Sequence, residues 1–274
     1  DREAFAKAYN LQSKELDPFS GKIVVQKNGK KFVIQNQVPF PLLQEEMDAI
    51  YDLDYMRTYH PAYEKYGGVP AIEEVQFSVN SCRGCFGRCS FCAIHSHQGR
   101  IIQTRSHESI VREAKKITEL PNFKGYIHDV GGPTANFRHP SCAKQLKVGV
   151  CRDRQCLFPK PCPNLDADHS DYIALLQKVR ALSGIKKVFV RSGIRYDYLL
   201  ADKNDRFLDE LCRYHVSGQL KVAPEHVAEH ALANMGKPGK SVYLKYMRPF
   251  NKKNQEIGLK QFLVPYFISS HPGC

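Results

Sequence analysis

Ten cysteines among 274 residues are the feature that most constrains how this chain folds. Two stand alone, Cys212 and Cys274, and the other eight form two groups. The first group is Cys82, Cys85, Cys89 and Cys92, and the second is Cys142, Cys151, Cys156 and Cys162. Disulfide-rich scaffolds are usually short secreted chains, and this N-terminus lacks the apolar region of a signal peptide. We therefore expect a cytoplasmic protein whose reduced, clustered thiols bind metal.

The remaining composition is that of a globular protein. Hydrophobic residues make up 42% and charged residues 25% of the chain, so a disordered or collagen-like chain is excluded. No apolar run is long enough to cross a membrane. The chain begins without Met and ends in a turn-like sequence, so we interpret it as part of a longer protein.

Local patterns predict an α/β fold. Two β-rich runs around Asn28-Gly29 indicate a hairpin over residues 22–37 with a type I′ turn. Helices are expected near 44–52, after Ser106, and at 171–183, 205–214 and 241–257. Strands are expected at 75–79, 125–130, 187–190, 220–223 and 262–268. This alternation favours parallel βαβ units and a complete or partial β/α barrel with its chemistry on the loops after the strands.

The same patterns predict that the chain is divided into two parts. Residues 1–73 form an N-terminal extension that contains the hairpin and an irregular lead-in. Residues 74–274 form the α/β domain, which includes a cysteine-rich insertion at 138–166 that is rich in Pro and Arg and has no periodicity.

The first cysteine group has two interpretations. Four thiolates in a Cys-x2-Cys-x3-Cys-x2-Cys pattern suit zinc, although zinc ribbons usually separate their pairs by about 12–20 residues. Alternatively, Cys85, Cys89 and Cys92 hold three irons of a 4Fe–4S cluster and leave the fourth open to a ligand. Phe91 would then shield the cluster, and Cys82 would be a bystander.

The second interpretation is supported by a resemblance. The segment RGCFGRCSFC, directly after a predicted strand, resembles the radical S-adenosylmethionine (SAM) superfamily. Further segments are similar to the YgiQ-type radical SAM proteins, and they span residues 83–92, 97–103, 131–136, 220–226 and 269–273. The resemblance covers most of residues 38–274.

The resemblance implies a radical SAM-type partial (β/α) barrel and an enzyme. A 4Fe–4S cluster would reductively cleave SAM to a 5′-deoxyadenosyl radical that acts on an unknown substrate, either a small molecule or RNA. An electron donor such as flavodoxin or ferredoxin would be a partner. Cobalamin is a further possible cofactor of the full-length protein.

The resemblance also implies which residues contact SAM. Gly131, Gly132 and Pro133 occupy the turn that receives the methionine amino group in this superfamily, although the family's acidic residue is replaced here. Ser192 and Arg195 follow the next strand and are candidates for the ribose and carboxylate of SAM. Glu225 is a candidate for contact with SAM or substrate.

The second cysteine group lies in the aperiodic insertion, where little apolar content is available to hold the chain. Cys142, Cys151, Cys156 and Cys162 are therefore expected to form a second metal site, for either zinc or a second 4Fe–4S cluster.

The chain is strongly basic, with 40 Lys and Arg against 28 Asp and Glu. Arginines flank the expected active face, and they are Arg83, Arg88, Arg100, Arg105, Arg152, Arg154, Arg191 and Arg195. Positive charge there would attract the SAM carboxylate, an acidic reductant or nucleic acid. The alternative function is therefore a zinc-binding, non-catalytic protein that binds nucleic acid.

Overall fold

The computed structural model describes residues 1–274 and alternates short strands with helices. The strands are β1 (Val24–Asn28), β2 (Lys31–Gln35), β3 (Ser78–Asn80), β4 (Cys82–Arg83), β5 (Gln103–Thr104), β6 (Tyr126–Ile127), β7 (Asp129–Gly131), β8 (Lys187–Val188), β9 (Gln219–Glu225) and β10 (Phe262–Phe267). The helices are α1 (Arg2–Lys14), α2 (Gln44–Tyr51), α3 (Ile72–Val75), α4 (Ile94–His97), α5 (His107–Thr118), α6 (Gln145–Val148), α7 (Ser170–Arg180), α8 (Tyr196–Leu199), α9 (Arg206–Glu210), α10 (Glu229–Met235) and α11 (Lys240–Glu256). None of the helices is long and apolar enough to cross a membrane.

In the main domain, β4 and β5 form a short antiparallel pair, and the other paired strands are parallel and lie next to one another in chain order. β3 pairs with β7, β6 with β8, and β9 with β10, all in parallel. A parallel bridge between Ile194 and Val222 connects the loop after β8 to strand β9. Backbone bonds such as Phe189 N–H to Ile127 O, at 3.0 Å, extend the short ladders. The expected parallel βαβ organisation is thus observed.

The strand expected at 75–79 is displaced. Residues Ile72–Val75 form helix α3 instead, and the strand begins at Ser78. The side chain of Val75 is largely exposed, whereas Phe77 and Val79 are buried in the core. Only the later residues of the run therefore face a partner, and they continue directly toward the first cysteine group.

The N-terminal hairpin is present, but its turn differs from the one expected. Asn28 pairs with Lys31, so Gly29 and Lys30 form a two-residue loop. Only Gly29 has a positive φ, at 61°. A type I′ turn requires positive φ at both loop positions, whereas a type II′ turn requires it only at the first, where glycine is favoured. The structure therefore has the type II′ pattern, which spares Lys30 a strained conformation.

Helix α5 illustrates how local sequence and packing agree. The hydroxyl of Ser106 accepts a hydrogen bond from Ser109 N–H at 3.0 Å and caps the helix. Ile110, Ala114 and Ile117 are fully buried on one face. The expected helix at 171–183 is likewise found as α7. The helix expected at 205–214 is α9 followed by a π-helical turn, Leu211–His215.

Two hydrophobic clusters form the core. The larger contains 25 buried residues contributed by the parallel strands and the helices packed on them. The smaller, here called the aromatic cluster, comprises Cys82, Phe86, Ile102, Phe137, Leu157 and Tyr198. Cys85 from the first cysteine group and Cys156 from the second both pack against it. The aromatic cluster therefore brings the two cysteine segments close to each other.

Candidate functional site

The first cysteine segment follows β4 as an irregular loop anchored at both ends. Cys85 N–H donates to Gly99 O at 3.0 Å, and Ser90 N–H donates to Met235 O at 3.0 Å, at the end of α10. Gly84 has a φ of +87°, and a Cβ there would lie 2.5 Å from the carbonyl oxygen of Ile101. Glycine is thus required both for the turn and for the close approach of the two chain segments.

An arginine from a distant loop contacts this segment. Nη1 of Arg195 donates to Sγ of Cys89 at 3.4 Å. A Cβ at Gly87 would lie 2.8 Å from the same Nη1, so this glycine admits the guanidinium. Burial raises the pKa of Cys85, while the charge of Arg195 opposes that shift. Thr134 Oγ1 lies 3.7 Å from Cys85 Sγ and was not anticipated from the sequence.

Arg195 is itself held by a carboxylate. Its Nε and Nη2 donate to the two oxygens of Asp197 at 2.8 and 2.6 Å, and both side chains are buried. Burial alone would raise the pKa of Asp197, but the charge and hydrogen bonds of Arg195 hold it below its usual value. The bidentate guanidinium edge that we expected to meet the SAM carboxylate therefore binds Asp197, and Nη1 faces the cysteine loop. Contact of Arg195 with SAM stays a prediction.

A second buried cation lies near the same thiols. Nζ of Lys237 is 3.7 Å from Oε1 of Glu225, and the lysine is 2% exposed. Burial and the neighbouring charge of Arg195 lower the pKa of Lys237, while the Cys89 thiol acts in the opposite direction. Burial raises the pKa of Glu225, which has a left-handed φ of 71°. Lys237 was not anticipated from the sequence, because its neighbours Gly236 and Pro238 indicate an exposed turn.

The glycines of the predicted SAM turn make room for protein groups. A Cβ at Gly131 would collide with Oγ of Ser192 and with the carboxylate of Asp129. A Cβ at Gly132 would lie 2.6 Å from Sγ of Cys82. Pro133, the next residue, is half-buried. The turn is therefore closely packed, and its expected contact with the amino group of SAM stays a prediction.

Ser192 is part of a hydrogen-bond network rather than free in solvent. Its hydroxyl donates to Oδ2 of Asp129, and the backbone N–H groups of Arg191 and Ser192 donate to Oδ1 at 2.7 and 3.2 Å. Burial raises the pKa of Asp129 despite these bonds. Asp129 fixes the loop after β8 against β7, and its position in a strand before Gly131 was the signal that could have identified it.

Cys82 differs from the other three thiols of its group. It is fully buried in the aromatic cluster, and burial raises its pKa to about 11. Its apolar surroundings in the aromatic cluster separate it from the loop, and its role as a bystander stays a prediction. Phe91, expected to shield the cluster, is 38% exposed.

The remaining thiols of this loop are not arranged around one ion. No group of three or more Cys, His, Asp or Glu side chains is arranged to hold a single metal ion. A tetrahedral zinc site, with Zn–S distances of about 2.3 Å, requires sulfurs about 3.8 Å apart. A 4Fe–4S cluster spreads its cysteine ligands over separate irons. Three cysteine thiols are the donor set that a cluster with one open iron needs, and binding of a cluster by Cys85, Cys89 and Cys92 stays a prediction.

The second cysteine group lines one cavity. Cys142, Cys151, Cys156 and Cys162 all contribute to its wall, and none of the four is in a disulfide. The Cys162 N–H donates to Cys156 O at 2.8 Å and closes the loop between them. The structure thus brings together four residues that span 21 positions of an aperiodic segment.

Several arginines of the expected active face have structural roles instead. Arg105 is fully buried and bonds to Glu113, Ser109 and Asn80 O. Arg88 Nη1 donates to Arg152 O at 2.6 Å. Arg105 is therefore not available to an external anion, and the basic face is smaller than the sequence indicated, whereas Arg88 is only partly buried.

Basic side chains do remain around a large cavity. It has a volume of about 920 Å³ and lies between helix α1 and the two cysteine segments. Arg88, Arg152, Arg154 and Lys160 contribute to its lining, together with Tyr9 of α1.

Comparison with known families identifies the class of protein. The Radical SAM superfamily model matches residues 79–264, and the Radical SAM N-terminal model matches residues 1–78. The chain therefore belongs to the radical SAM superfamily. It is also similar in fold to OxsB, described as a cobalamin-dependent SAM radical enzyme with aqua-cobalamin bound. That match has a TM-score of 0.51 and 14% identity and covers 90% of this chain and 29% of OxsB, which supports the α/β fold.

Similar proteins of known sequence narrow the assignment from the superfamily to a family. A UPF0313 protein of Clostridium botulinum (strain Okra / Type B1) is 55% identical over 273 residues, and one of Clostridium perfringens (strain SM101 / Type A) is 54% identical over 274 residues. Both matches cover 100% of this chain but only 42% and 41% of the relatives. The resemblance to the YgiQ-type proteins is thereby confirmed, and the chain spans about two fifths of the length of these relatives.

Proposed function

We propose that this chain carries the catalytic centre of a radical SAM enzyme, built as a partial (β/α) barrel. The observation that carries the proposal is the environment of the first cysteine loop. Three thiols at Cys-x3-Cys-x2-Cys spacing follow a strand of a radical SAM domain, and the buried Arg195 and Lys237 lie beside them.

Cys85, Cys89 and Cys92 would hold the 4Fe–4S cluster, and Cys82 would not take part. When bound together with SAM, the cluster supplies the electron for cleavage to methionine and a 5′-deoxyadenosyl radical, which abstracts hydrogen from the substrate. The protein's own residues would bind the cluster, balance its charge and exclude water. Arg195 would serve the second task, because its Nη1 lies beside Cys89 Sγ and a cluster with its thiolate ligands carries a net negative charge.

The two buried cations need counter-charges to remain in the interior. Asp197 orients Arg195 by a bidentate contact, so that Nη1 alone faces Cys89. Glu225 balances Lys237 at 3.7 Å. Asp197 and Glu225 are therefore positioning residues that act on the cysteine loop through Arg195 and Lys237.

The SAM site would lie on the loops that meet next to Cys85. Gly131, Gly132 and Pro133 would receive the methionine amino group, and Ser192, Arg195 and Glu225 would contact the rest of SAM. The support for this assignment is proximity: Thr134, directly after the Gly-Gly-Pro turn, lies within 3.7 Å of Cys85 Sγ.

The cavity of about 920 Å³ suits an anionic partner. It borders the cysteine loop at Arg88 and Ser90, and its basic lining would attract an acidic reductant such as flavodoxin or ferredoxin, or an anionic substrate. The substrate is a small molecule or RNA. Cobalamin remains a candidate cofactor of the longer protein, because OxsB is described as cobalamin-dependent.

The test is reductive cleavage of SAM under anaerobic conditions. The protein is reconstituted with iron and sulfide and reduced, and 5′-deoxyadenosine is measured. We expect Cys89→Ala to abolish 5′-deoxyadenosine formation and Cys82→Ala, its matched control, to retain it. If both variants are inactive while folded, the three-cysteine assignment is wrong.

The alternative function, a zinc protein that binds nucleic acid without catalysis, predicts a different outcome. Such a protein would be colourless, would contain zinc at both cysteine groups, and would form no 5′-deoxyadenosine. Membership of the radical SAM superfamily favours the enzyme.

A further inference from the structure

We propose that Cys142, Cys151, Cys156 and Cys162 bind a second iron–sulfur cluster in which every iron has a protein thiolate ligand. The inference goes beyond the radical SAM site, because it concerns a separate segment of the chain. Its first support is that all four thiols line one cavity. A bound metal or cluster would supply folding free energy to a segment that lacks a regular hydrophobic pattern.

The spacing of the thiols favours a cluster over a zinc ion. The four cysteines line the same cavity, and their Cys-x8-Cys-x4-Cys-x5-Cys spacing lacks the two Cys-x2–4-Cys pairs that are typical of structural zinc sites. A zinc ion would require sulfurs about 3.8 Å apart around a filled centre, whereas a cluster distributes four cysteines over four irons.

The surroundings supply the charge and the donors that such a cluster needs. Four thiolates around a 4Fe–4S core of charge +2 carry a net negative charge, which a partly buried site must balance. Nζ of Lys144 lies 3.7 Å from Cys151 Sγ, and Oγ of Ser141 lies 3.2 Å from Cys156 Sγ. Arg154 also lines the cavity.

Arg100 adds an independent observation. Its Nη1 donates to Cys151 O at 2.8 Å, which places the guanidinium beside the second cysteine segment. Its Nε is buried and has no hydrogen-bond partner. A buried donor without a partner is costly, and a nearby thiolate or cluster sulfide would provide an acceptor for it.

The second cluster would also stiffen the first cysteine loop. Arg88, which has a left-handed φ of 50° between Cys85 and Cys89, donates to Arg152 O at 2.6 Å, and Gln155 Nε2 donates to Arg88 O at 3.2 Å. The second cysteine segment thus holds Arg88, the residue of the first loop with the left-handed backbone, through two hydrogen bonds. Because its four ligand positions are filled by protein, this centre would not bind SAM.

The experiment separates the two centres by removing the first. The variant Cys85→Ala/Cys89→Ala/Cys92→Ala is reconstituted anaerobically beside the wild type, and iron, sulfide and zinc are counted. We expect about eight irons per chain in the wild type and about four in the triple variant, since each 4Fe–4S centre holds four. A triple variant with no iron, or with one zinc per chain, overturns the inference.

A second comparison assigns the remaining iron. Adding Cys142→Ser and Cys156→Ser to the triple variant should remove it, whereas adding Cys212→Ser, a buried thiol outside both groups, should not. Iron that survives the loss of Cys142 and Cys156 would contradict the ligand assignment.

A measurement on the wild type does not depend on any variant folding. Alkylation of the native protein followed by mass spectrometry should leave Cys142, Cys151, Cys156 and Cys162 unmodified while iron is bound and modify them after iron is removed. Cys274, which is exposed, should react in both states. Equal labelling of the four thiols in both states overturns the inference.

The results distinguish failure of this inference from failure of the proposed function. Four irons in the triple variant with no SAM cleavage by the wild type would support the second centre and contradict the radical SAM activity. If the wild type cleaves SAM but holds only four irons, and the triple variant holds no iron, the radical SAM activity is supported and the second centre is contradicted.

Discussion

Replacement of Asp197 by asparagine tests how the cysteine loop is kept electrostatically balanced. The substitution keeps the shape of the side chain but removes the charge that Arg195 contacts through two hydrogen bonds of 2.8 and 2.6 Å. The amide can accept one of these bonds, and its NH₂ group faces the second donor. Arg195 would then be a buried cation with Lys237 nearby and no adjacent carboxylate of its own.

The expected loss follows from burial. Arg195 and Asp197 are 7% and 3% exposed, so solvent screens the pair very little. Breaking a buried ion pair by removing one partner costs about 3–5 kcal/mol. Because two cations share this interior, we expect Asp197→Asn to fall in the upper half of that range. The matched control is Asp209→Asn, which removes more exposed pairs with Arg213 and Lys253 and should cost about 0.2–1 kcal/mol for each pair.

The assay is urea unfolding of the reduced, metal-free protein at several pH values. The pKa of Asp197 is held below its usual value, so its contribution is present above pH about 3.9 and is lost as the pH falls through the lowered pKa. The difference between wild type and Asp197→Asn should be constant from pH 5 to 8 and narrow only in acid. A loss no larger than that of Asp209→Asn, or one that grows in acid, would refute the reasoning.

Three other predictions concern the surrounding structure. Gly132→Ala, whose Cβ would lie 2.6 Å from Cys82 Sγ, should lower the free energy of unfolding by about 1–3 kcal/mol, and combining it with Cys82→Ala should recover part of that loss in the same urea titration. Burial raises the pKa of Glu210, but hydrogen bonds, the strongest from His215, hold it below its usual value. Glu210→Gln should therefore lower the free energy of unfolding by about 1–3 kcal/mol at pH 7, with a difference that narrows as the pH falls below about 4.3 through the lowered pKa. Ser106→Ala, which removes the cap of α5, should cost about 1 kcal/mol and reduce helix content near 222 nm.

Helix positions and strand order were largely predictable because their signals are local. The Ser106 cap and the apolar spacing of residues 171–183 predicted helices that the structure contains. The strand at 75–79 was predicted wrongly, because Val75 belongs to the apolar run but its side chain is largely exposed. A single sequence cannot reveal which end of an apolar run meets a partner.

The candidate site also has one part that was predictable from the sequence and one part that was not. The spacing of Cys85, Cys89 and Cys92 is a property of one short segment, and it predicted the class of chemistry that the family match supports. Lys237 gave no such signal, because it lies far from Cys89 in the sequence and follows a glycine. Its role arises only when α10 and the cysteine loop pack together.

The sequence by itself determined the class of protein, since the Cys85-x3-Cys89-x2-Cys92 spacing and the other matching segments can be recognised before any folding is considered. Only the tertiary structure decided how the charges are distributed. It directs the bidentate edge of Arg195 to Asp197 rather than toward the expected ligand, and it buries Arg105 against Glu113 rather than on the active face. The physical reason is that a charge in the interior needs a counter-charge within a few ångströms, and residues distant in the chain become neighbours only when it folds.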